Sequence, residues 1–245
     1  MSDEIRFDGK VAIVTGAGNG LGRSHALALA ARGAKVVVND LGGARDGSGG
    51  SAAPAEQVVQ EIVAAGGEAM ANGANVAKMD EVKAMTQAAM DRWGRIDILV
   101  NNAGILRDKT FAKMDFEDYR LVIEVHLVGT AACTHAVWPI MREQGYGRIV
   151  FTASPSGMHG NFGQANYAAA KAGVIGMMNA LHLEGAKSDI RVNVLSPSAR
   201  TRMTEDLGMP EEVLAALTPE AITAGLVYLV SADAPSRTIL SAAGG

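Results

Sequence analysis

Seven short apolar runs, separated by helix-length segments, constrain this chain more than any other feature of its sequence. The first, Lys10–Thr15 (KVAIVT), ends in a glycine-rich turn; a helical pattern, LGRSHALALAARG, follows and closes at Gly33. AKVVVND is the second run, and EAMANGAN, IDILVNNAG, GRIVFTAS, IRVNVLSPS and RTILSA continue the series, the third being the weakest. The spacing predicts helices at about 55–66, 78–93, 115–142, 165–187 and 210–232, the last split at Pro219. Strands alternating with helices make βαβ units and a parallel sheet. Runs this uniformly apolar are buried on both faces. Right-handed crossovers then give an α/β fold, a doubly wound seven-stranded parallel sheet with helices on both faces. One domain over 1–245 is expected, with a Gly/Ser-rich insertion at 41–54, LGGARDGSGGSAAP, too rich in those residues to be regular structure. Ligands of such a sheet sit beyond the carboxyl ends of its strands.

Composition narrows the function. Apolar residues make up 48% and charged residues 20%, enough to build a core and too little charge for a disordered chain. The net charge is −4 with no basic block, so nucleic acid and anionic membrane surfaces have no electrostatic support as partners. No apolar run is long enough to span a bilayer, the N-terminus MSDEIRFDGK has no apolar signal core, and SAAGG is no sorting tripeptide, so a soluble, cytoplasmic protein is expected. The single cysteine, Cys133, excludes an internal disulfide and a cysteine-based zinc site, and it reads as a buried, inert thiol. His25, His135 and His182 have no partners at ligand spacing, so no metal is expected.

The turn after the first run, TGAGNGLG, places Gly16, Gly20 and Gly22 as G-x-x-x-G-x-G. Glycine lets the backbone turn sharply and approach a pyrophosphate, and the next helix offers free N–H groups and a positive dipole end. Gly16, Asn19, Gly20, Leu21 and Gly22 are therefore candidate cofactor contacts. Asp40 closes the second run, where an adenosine ribose would lie; its carboxylate can accept ribose hydroxyls and would repel a 2′-phosphate. Asn19 is no cation, so NAD is expected over NADP, with Arg45 the one group that could soften the choice.

Tyrosine is scarce, four in the chain, and one stands in QANYAAAK with a lysine four residues on. On a helix Tyr167 and Lys171 share a face. A free phenol has a pKa of about 10; a nearby ammonium favours its phenolate and suits it to general base work. Ser154, thirteen residues earlier in FTASPSG, sits in an expected loop that can return its hydroxyl to a developing oxyanion.

TGxxxGxG, NNAG at 101–104, Ser154 and Y-x-x-x-K, in this order and spacing, resemble the short-chain dehydrogenase/reductase superfamily over essentially the whole chain. The resemblance implies a Rossmann-type fold. It implies that Tyr167 is the catalytic acid/base, that Ser154 polarises the carbonyl, and that Lys171 lowers the tyrosine pKa and binds the nicotinamide ribose. Asn102, Ala103 and Gly104 would border the riboses. Asn75 and Val76 would take the adenine edge, where the superfamily usually has Asp-Val. Pro197, Ala199 and Thr201 would lie near the nicotinamide, with Pro197–Ser198 replacing the usual Pro-Gly. His126 stands where most members have an asparagine.

A narrower resemblance rests on VVNDLGG, NNAGILRDKTF, VHLVGT and YGRIVFTASPSGMHGNFGQANYAAAK. These are similar to the (3R)-hydroxyacyl-CoA dehydrogenase domain of the peroxisomal multifunctional β-oxidation enzyme and its bacterial relatives. That implies oxidation of a (3R)-hydroxyacyl-CoA with NAD. His159 and Phe162, after Ser154, are further candidates for the substrate side. The alternatives are a dehydrogenase or carbonyl reductase for another secondary alcohol, such as a hydroxysteroid or aryl ketone, and a non-catalytic NAD(H)-binding sensor. Small residues along AGVIGMMNALHLEGAK suit close packing of like helices, so a homodimer or homotetramer is expected.

Overall fold

A computed structural model of the protein describes residues 4–198 and 217–243. Its sheet has seven parallel strands in the order β3-β2-β1-β4-β5-β6-β7. They are β1 (Val11–Thr15), β2 (Lys35–Asn39), β3 (Glu68–Asn72), β4 (Ile98–Asn101), β5 (Gly147–Thr152), β6 (Ile190–Pro197) and β7 (Ile239–Ala242). Every residue of β1, β4 and β5 is buried, as their unbroken apolar runs require, whereas the edge strands β3 and β7 alternate with exposed positions. The weakness of the third run is thus the signature of an edge.

Alternation along each strand divides the core between two helical layers. Ala12, Val14, Val36, Val38, Val100 and Leu195 face α1 (Gly20–Ala31), α2 (Ala53–Ala64) and α8 (Pro219–Leu229). Ile13, Val37, Leu99, Ile149, Phe151 and Val194 face α3 (Met79–Trp93), α5 (Gly129–Gln144) and α7 (Ala165–Gly185). Each such side chain, buried, contributes about 1.5–3 kcal/mol of transfer free energy. Cys133 is buried in the second layer, and burial pushes its thiol pKa up to about 12, as expected of an inert thiol. Arg148 is buried on β5, where its guanidinium donates to Gly147, Asp189, Ser231 and Ala232.

The strand order reverses between β1 and β4. The glycine turn after β1 and NNAG after β4 therefore stand side by side, and the gap between them is where a doubly wound sheet receives ligands.

Two expectations need correction. The helix predicted at 115–142 is α4 (Phe116–Ile123), a wide π turn at Glu124–Val128, and α5, with Pro139 inside α5. Taken together, Phe116–Gln144 is 29 residues long and its most apolar window has a mean hydropathy of 1.3, so length and composition alone would let it cross a membrane; 44% of that window is buried inside the protein. The segment after Ser154 is a short helix, α6 (Pro155–His159), and not a loop: Ser154 caps it by accepting from Ser156 N, and Pro155 supplies the first-turn φ. The insertion has no regular structure over 41–52, as its composition predicts, and is tied as a strap. Ser51 N donates to Leu41 O, Ala44 N to Ser48 O, and Leu106 N to Arg45 O.

Candidate active site

The site grows from Thr15, the last residue of β1. Its hydroxyl accepts from Asn102 N at 3.0 Å and Ala103 N at 3.1 Å, clasping the chain leaving β4. Asn102 returns the contact, its side-chain amide donating to Thr15 O and Gly16 O, each at 3.0 Å. Gly16 has φ +63°, and a Cβ there would stand 2.8 Å from Ala103 Cα; a Cβ on Gly22 would stand 2.1 Å from Gly16 O. The glycines are thus needed first for the fit of the turn against NNAG. Asn102, placed by sequence beside a cofactor ribose, is a structural latch for that turn.

Beyond the turn lies a cavity of about 320 Å³. It is lined by Gly16, Asn19, Gly20, Leu21, Asp40, Asn75, Val76, Asn102, Ala103 and Gly104, all candidates from sequence, and by strap residues including Leu41, Arg45 and Gly47. Gly22 packs behind it. The head of α1 faces this space without a side-chain cap from Asn19 and without an acidic residue in its first turn. Its free N–H groups suit a phosphate. Asp40 Oδ2 accepts from Gly18 N and Oδ1 from Gly42 N, both at 2.7 Å, which fixes the carboxylate at the cavity wall. Asn75 is held by Glu81 through its N–H and turns its own Oδ1 to Ala77 N. These residues fit a dinucleotide in charge and shape.

At the other end, Tyr167 and Lys171 lie on α7. Lys171, only 4% exposed, donates from Nζ to Thr152 O at 2.5 Å, and Nζ is 5.4 Å from the centre of the Tyr167 ring. A Cβ on Gly157 would come within 2.7 Å of Lys171 Cβ, so this glycine lets α6 lie directly on α7. Ser154, at the head of α6, lies beside the Tyr167 phenol. The three residues separated in sequence are brought together.

The protonation states differ from the sequence expectation. Burial pushes the Tyr167 phenol up to about 12, with hydrogen bonding to Ser154 the opposing influence. Burial lowers Lys171 to about 7. The ammonium does not hold the phenol below its ordinary value, because Nζ is turned to Thr152 and the desolvation of both groups is larger.

His126 lies in the π turn, 2% exposed, its ring edge-on to Tyr167 with centroids 5.0 Å apart. Its Nε2 is 3.0 Å from Ile105 N and 2.8 Å from Ile105 O, so one of the two is its partner according to tautomer. Burial, then the Lys171 charge, hold it well below the usual histidine range. Nδ1 is buried without a partner among the described residues. A Cβ on Gly104 would meet this ring at 2.2 Å.

His159 and Phe162 stand on the surface, Phe162 88% exposed. Pro197 ends β6 at the same carboxyl edge; Ala199 and Thr201 lie outside the described residues. Thr15, Gly157 and Asn166 were missed as supports. A Thr closing the strand before the glycine turn was the one legible signal; the others depend on helix placement.

Comparison with known proteins now settles the family. The short chain dehydrogenase family matches residues 10–212. The chain belongs to the short-chain dehydrogenase/reductase family. This family membership makes it an oxidoreductase. Among solved structures, a short chain dehydrogenase from Mycobacterium avium superposes with a TM-score of 0.85 at 44% identity, covering 97% of this chain and 84% of that one. A 7α-hydroxysteroid dehydrogenase complexed with NADH and a 7-oxo bile acid superposes at 0.89 with 32% identity, covering 100% and 97%. The peroxisomal multifunctional enzyme type 2 of Drosophila melanogaster is 49% identical over 243 residues, 98% of this chain but 40% of that enzyme. This short-chain dehydrogenase/reductase thus spans well under half of the peroxisomal relative.

Proposed function

We propose that this protein is an NAD-dependent dehydrogenase that oxidises a (3R)-hydroxyacyl-CoA to the 3-ketoacyl-CoA, or runs the reverse reduction. The observation that carries the chemistry is the convergence of Ser154, Tyr167 and Lys171 at the carboxyl edge of the sheet, beside His126, whose ring lies against Gly104 of the cavity wall. The 49% identity to a peroxisomal multifunctional enzyme supports the acyl-CoA substrate. Asp40, anchored by Gly18 and Gly42 at the cavity wall, supports NAD over NADP.

When bound, a nicotinamide nucleotide supplies the hydride acceptor or donor. Gly16, Gly20 and the head of α1 would hold its pyrophosphate, Asp40 a ribose, and Asn75 and Val76 the adenine edge. In oxidation, Tyr167 Oη takes the hydroxyl proton of the carbinol as its C–H hydride departs; in reduction, Tyr167 returns the proton to the carbonyl oxygen. Ser154 donates a hydrogen bond to that oxygen. Lys171, a few ångströms from the Tyr167 ring, holds ribose hydroxyls and, when protonated, stabilises the phenolate. With the phenol at about 12, reaching neutrality costs about 7 kcal/mol. A protonated Lys171 and a cationic nucleotide must offset that cost, so Tyr167 is a ready acid and becomes a base only with both charges present. His159 and Phe162 flank the substrate's approach. The small-residue surface of α7, where a Cβ on Gly176 would meet nothing, supports a homodimer or homotetramer.

A second reading, a dehydrogenase of hydroxysteroids, is favoured by the likeness to the 7α-hydroxysteroid enzyme. Steady-state assays of wild type and Tyr167→Phe decide between them. NAD and NADP are each offered with a (3R)-hydroxyacyl-CoA, its (3S) epimer and a hydroxysteroid. NAD-linked turnover confined to the (3R) thioester and lost in the variant is expected. Turnover of the steroid alone would overturn the substrate, and nucleotide binding with no turnover of any substrate would leave a sensor.

A further inference from the structure

The chain between β4 and α4 is tied on both sides. Toward the cavity, Arg107 Nε donates to Asp46 O of the strap at 2.9 Å, and Nη1 pairs with Asp118 on α4. Leu106 N adds its bond to Arg45 O, and a Cβ on Gly47 would stand 3.1 Å from Ile105. Toward the catalytic helix, Arg107 O accepts from Asn166 Nδ2 at 3.1 Å. Asn166 is fully buried, and its Oδ1 accepts from Tyr167 N at 2.8 Å. Lys109 N to Gly163 O at 2.9 Å and Gln164 Nε2 to Asp108 at 2.7 Å run parallel to this path.

One residue therefore holds the strap with its side chain and the catalytic helix with its carbonyl. The strap is rich in glycine and largely exposed, and most of its hydrogen bonds among the described residues close on the strap itself, the make-up of an element that moves at little cost. Its residues Leu41, Arg45 and Gly47 wall the cavity, so a ligand there favours the strap's closed position. Asn166 has a single geometry that serves both Arg107 O and Tyr167 N, and a buried amide that loses a partner is expensive.

We propose that Arg107 is a positioning residue that links nucleotide occupancy beneath the strap to the placement of Tyr167. The link rests on the reading of Tyr167 as the acid/base and of the cavity as the nucleotide site. Coupling of this kind is reciprocal: whatever loosens Arg107 weakens nucleotide binding and the order of Tyr167 together. A merely local structural role for Arg107 would change stability but not the response of α7 to nucleotide.

The test is hydrogen exchange by mass spectrometry on the full chain, free and saturated with NADH, or with NADPH should it bind instead. Wild type, Arg107→Leu, Arg107→Lys and Asp118→Asn are compared. In wild type, nucleotide slows exchange at 16–22, 41–51 and 163–170. In Arg107→Leu, slowing at 16–22 persists at saturation. Slowing at 163–170 falls to less than a third, and affinity drops about fivefold, the scale of one ordinary hydrogen bond. Arg107→Lys recovers part of both. Equal slowing of 163–170 in wild type and Arg107→Leu overturns the link, as does a wild-type α7 that ignores nucleotide. Should Arg107→Leu fail to fold, Asp118→Asn decides by the same comparison, since it releases Arg107 without touching the strap or α7. Absence of any response at 16–22 in wild type would instead sink the nucleotide reading, and the link with it.

Discussion

Replacing Gly104 by alanine tests the site through a single added methyl. The new Cβ would sit 2.2 Å from His126 Cε1, 3.0 Å from Nδ1 and 3.1 Å from Nε2. Gly104 is not among the glycines with positive φ, so the substitution brings a clash without backbone strain. The imidazole cannot yield freely: it is buried, its Nε2 is bound to the Ile105 backbone, and its ring packs T-shaped against Tyr167. Overpacking of this kind costs about 1–3 kcal/mol, and a lost hydrogen bond to a buried backbone group adds about 1–2. The sum, about 3 kcal/mol, lowers Tm by about 6–12 °C in a chain of this size. The displaced ring shifts Tyr167, and a misplacement of about 1 Å lowers kcat by about 100-fold. Differential scanning fluorimetry and steady-state kinetics read both numbers. Gly73→Ala, whose Cβ meets nothing, is the control. His126→Asn is the rescue: the shorter side chain makes room, so the double variant regains most of the loss of Gly104→Ala. An unchanged Tm and kcat in Gly104→Ala would refute the packing argument. A loss of activity that His126→Asn does not relieve would place the damage in nucleotide approach and not in Tyr167.

Three further outcomes follow from the protonation and charge of particular groups. His25, fully buried with its pKa lowered to about 3 by desolvation, binds a proton more readily in the unfolded chain. Its contribution is therefore fully present above pH ~6.5 and is lost as pH falls toward ~3, about 1.4 kcal/mol per unit; urea titrations should show a slope shallower by that amount in His25→Leu, and equal slopes would mean the histidine is hydrated. Lys171, lowered to about 7, must be protonated to serve ribose hydroxyls and phenolate together. Nucleotide affinity should weaken as pH rises through neutrality, with proton uptake on binding visible by calorimetry in buffers of different ionisation enthalpy; affinity flat from pH 6 to 9 would contradict this. Asp40→Asn keeps an acceptor for Gly18 but removes the charge facing a 2′-phosphate, so the NAD/NADP preference in kcat/KM should narrow at least tenfold; an unaltered ratio would assign discrimination to the strap.

Much of the protein was legible in its residues taken one after another. The burial of β1, β4 and β5 follows from period and composition, because a strand covered on both faces has no polar side to show. The weak third run became an edge strand for the same reason. Gly16, Gly20, Asp40 and Asn102–Gly104 converge because strand order in a doubly wound sheet puts the ends of β1 and β4 together. Ser154, Tyr167 and Lys171 could be named because local spacing and sheet polarity send them to one edge.

Other features belong to the tertiary structure alone. Asn102 and Thr15 latch two turns 87 residues apart, and no local pattern encodes which atoms they meet. Gly157 and Gly104 are glycines because of side chains from other elements, Lys171 and His126, that approach within a Cβ's reach. The π turn at His126 reflects packing against neighbours, which overrides the helical period that predicted otherwise. The direction of the tyrosine shift was misjudged from sequence for one physical reason. Spacing reports how close two groups lie along a helix, whereas a pKa answers to the burial around each of them, and burial exists only once distant parts of the chain have closed over the site.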